Sequence, residues 1–330
     1  MYLKSLFFAL VGSLTLLISG CGGESNSTKL ATGYFVDAGV KGLFYISGST
    51  SGYTETGGKF SYVPGTSVEF FLYGQPLSGS GLTSEITTLI VTPFDIDLNR
   101  YHPAFPINVM RLLLALDLDQ NPANGIELPS HSGSFSINFN ISLQAFEADS
   151  DGKIKSFLAA YAKGRPLYPL KGTVEHFSNT IATVGPSTGY SLSFQGKTAK
   201  SVIENSACEN VKGGWVYTFG SQSFTMKGVD SFNRSGGSSD CTLGNPETLN
   251  YPYPTSPTNE FLGCLPKCAY NEINRISWIE SDEDGRTAVE YSWHSPSKNK
   301  IYYVKQIVED KKNNNHPDSL SYFIETITID

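Results

Sequence analysis

The sequence predicts a mainly β protein with three parts: a small N-terminal β-sandwich over 31–100, a short helical connector over 101–170, and a C-terminal antiparallel β-sandwich or barrel over 171–330. Three observations point there. Tyrosine (18) and phenylalanine (20) are abundant, and aromatic side chains suit a pleated, half-buried surface. Glycine (32) and proline (17) punctuate the chain often enough to turn it every few residues. Short strand-like runs recur between those turns, whereas only two stretches carry a helical pattern.

The first element is an export signal. Residues 1–21 read MYLKSLFFALVGSLTLLISGC, with Lys4 before an apolar run from Leu6 to Ile18 and small residues before a cysteine. That run falls short of the roughly 20 apolar residues that cross a bilayer as a helix, which argues against an uncleaved anchor. Ile18-Ser19-Gly20-Cys21 resembles the lipobox of bacterial lipoproteins. The resemblance implies removal of a signal peptide at 1–20 and acyl chains on Cys21, which would tether the protein to a lipid bilayer; two or three chains on one residue hold where a single chain gives only marginal binding. Gly22 in place of an aspartate is similar to the pattern that sends enterobacterial lipoproteins to the outer membrane. Residues 21–30 then form the lipidated cysteine and a small, polar tether that cannot pack a core.

Strands are predicted at Thr32–Val36, Val40–Ile46, Lys59–Val63 and Val68–Tyr73, with the last buried on both faces near its end. The motifs Val40-Lys41-Gly42, Gly52-Tyr53-Thr54 and Gly58-Lys59-Phe60-Ser61-Tyr62 resemble the prealbumin-like β-sandwich modules related to carboxypeptidase regulatory domains and collagen-adhesin B-type repeats. Thr54-Glu55-Thr56-Gly57 departs from the acidic turn usual in that pattern. Over 32–128 the chain also resembles uncharacterised lipoproteins of marine-type proteobacteria. Neither resemblance implies a catalytic role.

In the connector, Pro106 sits where a first-turn proline is tolerated. Ile107–Leu116 is apolar almost all round, so this helix should lie buried between the β units. A second helix is predicted at Lys153–Ala162 and a strand at Ser134–Ile141. Between the helices lies an Asp/Asn-rich loop open to two readings. Asp117, Asp119, Asn121 and Asn124 offer oxygen ligands of the kind Ca²⁺ takes, although Pro122 and Leu128 stand where an EF-hand needs glycine and glutamate. The same side chains also suit a polar loop that caps the helix end and turns through Asn124-Gly125.

The C-terminal part shows strand patterns at Tyr190–Phe194, Gly214–Phe219, Ser223–Lys227, Ile276–Glu280, Thr287–Trp293, Ile301–Val308 and Tyr322–Thr328. The acidic turn Asp282-Glu283-Asp284-Gly285 reads as a hairpin signal, and Trp215, Trp278 and Trp293 read as core residues. Cys208, Cys241, Cys264 and Cys268 form an even set, which in an exported protein reads as two disulfides. Of the three pairings, Cys208–Cys241 with Cys264–Cys268 is favoured, because the latter brackets a turn-like Leu265-Pro266-Lys267. A four-cysteine zinc site would want C-x-x-C knuckles, which are lacking.

Catalytic motifs are thin. Gly185-Pro186-Ser187-Thr188-Gly189 matches G-x-S-x-G, but an alternating strand pattern follows where a helix is required, so it reads as a turn. His102, His131, His176, His294 and His316 are scattered singly and read as surface or capping residues. A net charge of −7 without a basic cluster argues against a nucleic-acid partner. The sequence therefore favours an envelope module that binds a protein or carbohydrate, adheres or supports, without catalysis. An exported hydrolase of polysaccharide or protein is the alternative.

Overall fold

A computed structural model describes residues 29–80, 88–95, 102–130, 135–205, 213–229, 248–256, 258, 260–280, 285–315 and 320–330. Cys21, the export segment, Cys208, Cys241, His131, His316 and the acidic turn at 282–284 lie outside these described residues. The architecture is mainly β, as the sequence predicts, with antiparallel pairing dominant.

The N-terminal strands are β1 (Ala31–Phe35), β2 (Val40–Lys41), β3 (Phe44–Ser47), β4 (Thr50–Tyr53), β5 (Lys59–Tyr62), β6 (Val68–Leu72), β7 (Gln75–Ser80) and β8 (Thr88–Val91). They make a four-stranded sheet in the order β4-β3-β6-β7 and a three-stranded sheet in the order β5-β1-β8, where β1 and β8 run parallel. Side chains on a strand alternate between faces, and the inward set of one sheet meets that of the other. Phe35 packs on Phe70 at 4.9 Å between ring centroids, Phe60 on Phe70 at 5.1 Å and Tyr45 on Phe60 at 5.4 Å. Two of the predicted details are corrected. The strand expected over Val40–Ile46 breaks at Gly42, whose φ of +98° only glycine adopts without strain. The strand at Val68–Leu72 is buried on one face throughout: Val68, Phe70 and Leu72 point inward, Glu69 is exposed and Phe71 half-buried.

The helix predicted to lie between the β units is α1 (Phe105–Leu116), and all of its residues are buried. Val109, Leu112, Leu113 and Leu116 join the sandwich core, whereas Ile107 and Met110 join a second core beneath the C-terminal strands. One helix thus carries both cores. The strand expected over Ser134–Ile141 forms no ladder among the described residues. Its backbone is satisfied by side chains instead, which answers the demand that buried peptide groups find partners. Gln75 clamps Ile137 through both its amide atoms (2.7 and 2.6 Å), and Asn108 Nδ2 on α1 donates to the carbonyls of Phe139 and Ile141 (3.1 and 2.9 Å). A two-residue strand, β9 (Ile126–Glu127), pairs with β2, and helices α2 (Leu143–Ala148) and α3 (Lys153–Tyr161) complete the connector.

The C-terminal part opens with a helix the strand-based reading missed, α4 (Leu170–Ser187). Leu170, Val174, Phe177 and Ile181 recur at helical spacing and face the second core. Gly185-Pro186-Ser187 is therefore the last turn of α4 and not a free turn, and Thr188 closes it. A side chain at Gly185 would put its Cβ 2.5 Å from the Cβ of Asn271, so only glycine lets the following helix, α5 (Tyr270–Ile273), come this close.

Beyond α4 come β10 (Ser191–Ser193), β11 (Thr198–Asn205), β12 (Gly214–Phe219), β13 (Ser223–Val229), β14 (Thr248–Pro252), β15 (Lys267–Ala269), β16 (Arg275–Ile279), β17 (Arg286–Ser295), β18 (Lys300–Asp310) and β19 (Tyr322–Ile329). Eight of them form one antiparallel sheet in the order β14-β13-β12-β11-β19-β18-β17-β16. Ile301 and Tyr302 are neighbours on β18 and point to opposite faces. Tyr302 packs with α4, Trp293 and Phe94, while Ile301 packs with Phe194, Tyr217 and the cysteine pair. Helices thus cover one face, and the small β10-β15 sheet covers the other. Cys264 and Cys268 are disulfide-bonded, as predicted, with 5.0 Å between their Cα atoms. Trp293 is a core residue, and Trp278 and Trp215 are partly buried against the second and third cores.

Candidate functional site

Where β1, β8, the Asp/Asn loop and α4 meet, they enclose an open cavity of about 940 Å³. The sandwich contributes Tyr34, Val36 and Ile90, and the loop contributes Pro122 through Gly125. From α4 come His176, Asn179, Thr180 and Thr183. Residues 176, 180 and 183 lie on one helix face because side chains three and four apart align. The neighbouring face, with Val174, Phe177 and Ile181, is buried, so packing of α4 fixes the direction of the cavity face.

Among the described residues, the lining is uncharged apart from what His176 carries. Its threonines have committed their protons: Thr180 Oγ1 donates to the His176 carbonyl (3.1 Å) and Thr183 Oγ1 to the Thr180 carbonyl (2.8 Å). Both oxygens keep lone pairs for a ligand's donors. Tyr34 is 36 % exposed and adds an aromatic ring to the same wall.

Behind the wall lies an unusual pair. Asp37, in the turn between β1 and β2, is 0 % exposed, and neither carboxyl oxygen has a hydrogen-bond partner among the described residues. Nε2 of His176, also buried and unpartnered, lies 3.8 Å from Asp37 Oδ1. Burial alone pushes the Asp37 carboxyl up to about 8 and pushes the His176 imidazole down, so loss of water favours the neutral form of each.

The residues predicted as a calcium set are placed as follows. Asp117 Oδ1 accepts the Glu127 N–H (3.0 Å), and its Oδ2 is buried without a partner. Asp119 accepts the Asn121 N–H (2.9 Å) and Asn124 Nδ2 (2.8 Å). Burial raises Asp117, whereas the Asn124 and Asn121 donors hold Asp119 low. These bonds close the loop on itself, and among the described residues no group of three or more His, Cys, Asp or Glu side chains gathers as metal ligands. Among the described residues, Asn124 is the one predicted site residue that reaches the cavity wall.

The reading of the histidines needs correction. His102 does cap, its Nδ1 accepting the Ala104 N–H ahead of α1 (3.1 Å). His294, however, is 5 % exposed, hydrogen-bonded to the Tyr190 hydroxyl, and lowered to about 4 by burial and by Lys197. His176 belongs to the cavity. Two signals pointed that way: an aspartate inside the apolar run Tyr34-Phe35-Val36-Asp37-Ala38, and a histidine set between Val174 and Phe177 on an amphipathic repeat.

Among known proteins, no family profile, no curated sequence and no solved structure matches this chain.

Proposed function

We propose that the protein is a cell-envelope lipoprotein, held at a membrane through Cys21, whose body acts as a non-catalytic binding module for a neutral, hydroxyl-rich ligand of the carbohydrate class. The observation that carries this reading is the cavity: large and open, with a mainly apolar lining into which the hydroxyl and amide groups of Thr180, Thr183, Asn124 and Asn179 are set, no acidic or lysine or arginine side chain among its described residues, and an aromatic ring at its edge. Pockets of roughly 300–1,000 Å³ with a few placed polar groups are the usual form of a small-ligand site. The lipobox-like Ile18-Ser19-Gly20-Cys21 supports the tether, Gly22 supports the outer membrane, and the Cys264–Cys268 bridge suits an oxidising compartment. The adhesin-like motifs of the N-terminal sandwich favour a binding role over a purely structural one.

The hydrolase reading draws on the Asp37–His176 pair as an acid–base couple. A glycosidase needs a second carboxylate across the cleft, and the described lining contains none.

Two experiments test the proposal. Maltohexaose, cellohexaose and chitohexaose are titrated into the mature protein by calorimetry, and at least one should bind and raise Tm, while Thr180→Trp, which fills the cavity, should abolish binding with the fold intact. Saturation at 100 times Kd adds about 2.7 kcal/mol of apparent stability. Absence of binding by all three sugars would remove the ligand class. Separately, Cys21→Ser should move the protein from the membrane to the soluble fraction, and unchanged membrane association would remove the tether.

A further inference from the structure

We propose that His176 is the specificity-determining residue of this cavity, a hydrogen-bond donor to a ligand oxygen, and that Asp37 is the positioning residue that keeps the donor proton on Nδ1. The inference rests on the cavity being the ligand site, and it says which atom reads the ligand.

Buried polar atoms in folded proteins nearly always find a hydrogen-bond partner, so orphans call for a reason. Here three orphans meet: both oxygens of Asp37 and Nε2 of His176. An acid and a base face each other across 3.8 Å, one wholly buried and the other 14 % exposed in the wall of the cavity. A carboxyl group behind a histidine is the usual means of fixing its tautomer, because the nitrogen that faces the acid settles the state of the other.

The proton count gives the same answer twice. The pair shares one proton between Oδ1 and Nε2. When the proton is on the carboxyl, the neutral acid faces Nε2 across 3.8 Å, where a lone pair is better accommodated than a second N–H, so the ring carries its N–H on Nδ1. When the proton is on the ring, the imidazolium has N–H on both nitrogens beside a carboxylate. Nδ1 is a donor in both of these states; the third, a carboxylate facing a neutral ring with N–H on Nε2, would make Nδ1 an acceptor, and complete burial of the carboxyl disfavours it. The nitrogen away from Asp37 is the one left for a ligand. Desolvation of both groups favours the neutral state. Charged neighbours do not intrude. On the turn that packs against Asp37, Lys59 pairs with Glu55 (3.8 Å). On α4, Lys171 pairs with Glu175 (3.8 Å) and with Glu280 at the surface. On α1, Arg111 pairs with Glu147. The wall therefore presents a donor at His176 and acceptors at Thr180 and Thr183. A hydroxyl oxygen answers both, which a ligand group bearing only N–H cannot do.

The test is a two-bond ¹H–¹⁵N correlation spectrum of the full chain labelled at histidine, with the His176 signals assigned by their loss in His176→Gln. At pH 7 the wild type should show Nδ1 protonated. Asp37→Asn, whose amide can still donate to Nε2, should keep that pattern, and Asp37→Ala should release the proton to Nε2. A wild-type ring protonated on Nε2 alone overturns the proposal, whether or not any sugar binds. In the binding arm, His176→Phe should weaken the hexasaccharide that binds wild type at least ten-fold, and Asp37→Asn less than three-fold. Equal affinity of His176→Phe and wild type also overturns the proposal. Failure of all three sugars to bind wild type would instead sink the ligand class, leaving the tautomer to be decided by the spectrum.

Discussion

Two aspartates, Asp37 wholly buried and Asp95 half-buried, are treated in opposite ways. Asp95, just after β8, joins the two cores: Oδ1 accepts Trp293 Nε1 (3.0 Å), while Oδ2 accepts the backbone N–H (2.6 Å) and the hydroxyl (2.9 Å) of Thr92. Burial lifts its carboxyl to about 6, with those donors opposing the rise. Among the described residues no donor reaches the Asp37 carboxyl, which rises to about 8. A buried carboxyl that is fully bonded rigidifies a joint, whereas one left unbonded lowers stability without tightening anything. The first has the chemistry of structure, and the second has the chemistry of a site.

The sharpest break of this comparison is at Asp95. Asp95→Leu strands the Trp293 and Thr92 donors inside the protein, so urea unfolding should show a loss of about 3–5 kcal/mol. A loss below about 1 kcal/mol would mean that the joint is not held there.

Asp37→Asn should act in the opposite direction. A carboxyl whose pKa rises on folding, from 3.8 to about 8, contributes stability that is fully present below about pH 3.8 and is lost as pH rises through about 8. Each unit of pKa shift corresponds to 1.36 kcal/mol. The amide substitute cannot ionise, so it should match wild type near pH 4 and exceed it by about 2 kcal/mol or more at pH 8, read as Tm against pH. Asp95 follows the same sign over the narrower window from 3.8 to about 6. A wild-type Tm that climbs between pH 6 and 8 would contradict the Asp37 assignment, and one that climbs between pH 4 and 6 would contradict both.

The opposite face of the large sheet is a control that touches neither aspartate. Opening Cys264–Cys268 with Cys264→Ala and Cys268→Ala frees a very short loop, for which chain entropy gives about 2 kcal/mol, independent of pH. The smallest effect is expected at the exposed loop. Asp119→Ala should lower Tm by less than loss of the disulfide, and EGTA should leave Tm unchanged if the Asn121 and Asn124 bonds alone close that loop. A fall in Tm with EGTA would favour the calcium reading.

Strands β17, β18 and β19 were legible because they are rich in aromatic and β-branched residues, and each extends by only a few residues beyond the predicted run, whereas β11 and β14 were not predicted. The buried helix was legible because Ile107–Leu116 is apolar on every side. Other features were hidden for physical reasons. Alternation over 134–141 reads as a strand, but Gln75 and Asn108, distant in sequence, take its hydrogen bonds. The helix α4 was masked by Gly172, Thr173, Gly185 and Pro186, poor helix formers that tertiary packing overrides. Most of the candidate site was illegible, since Asp37 and His176 stand far apart in the chain and only the tertiary fold, which brings α4 beside the turn after β1, makes them a pair. Asn124 was found for a different reason, as one of four oxygen donors in a loop.

The cavity as ligand site can be probed directly by hydrogen exchange on the mature protein, with and without a saturating hexasaccharide. Added protection confined to residues 34–39, 122–125 and 176–188 is the expected result. Protection that falls elsewhere, or none under conditions where calorimetry records binding, would contradict the site.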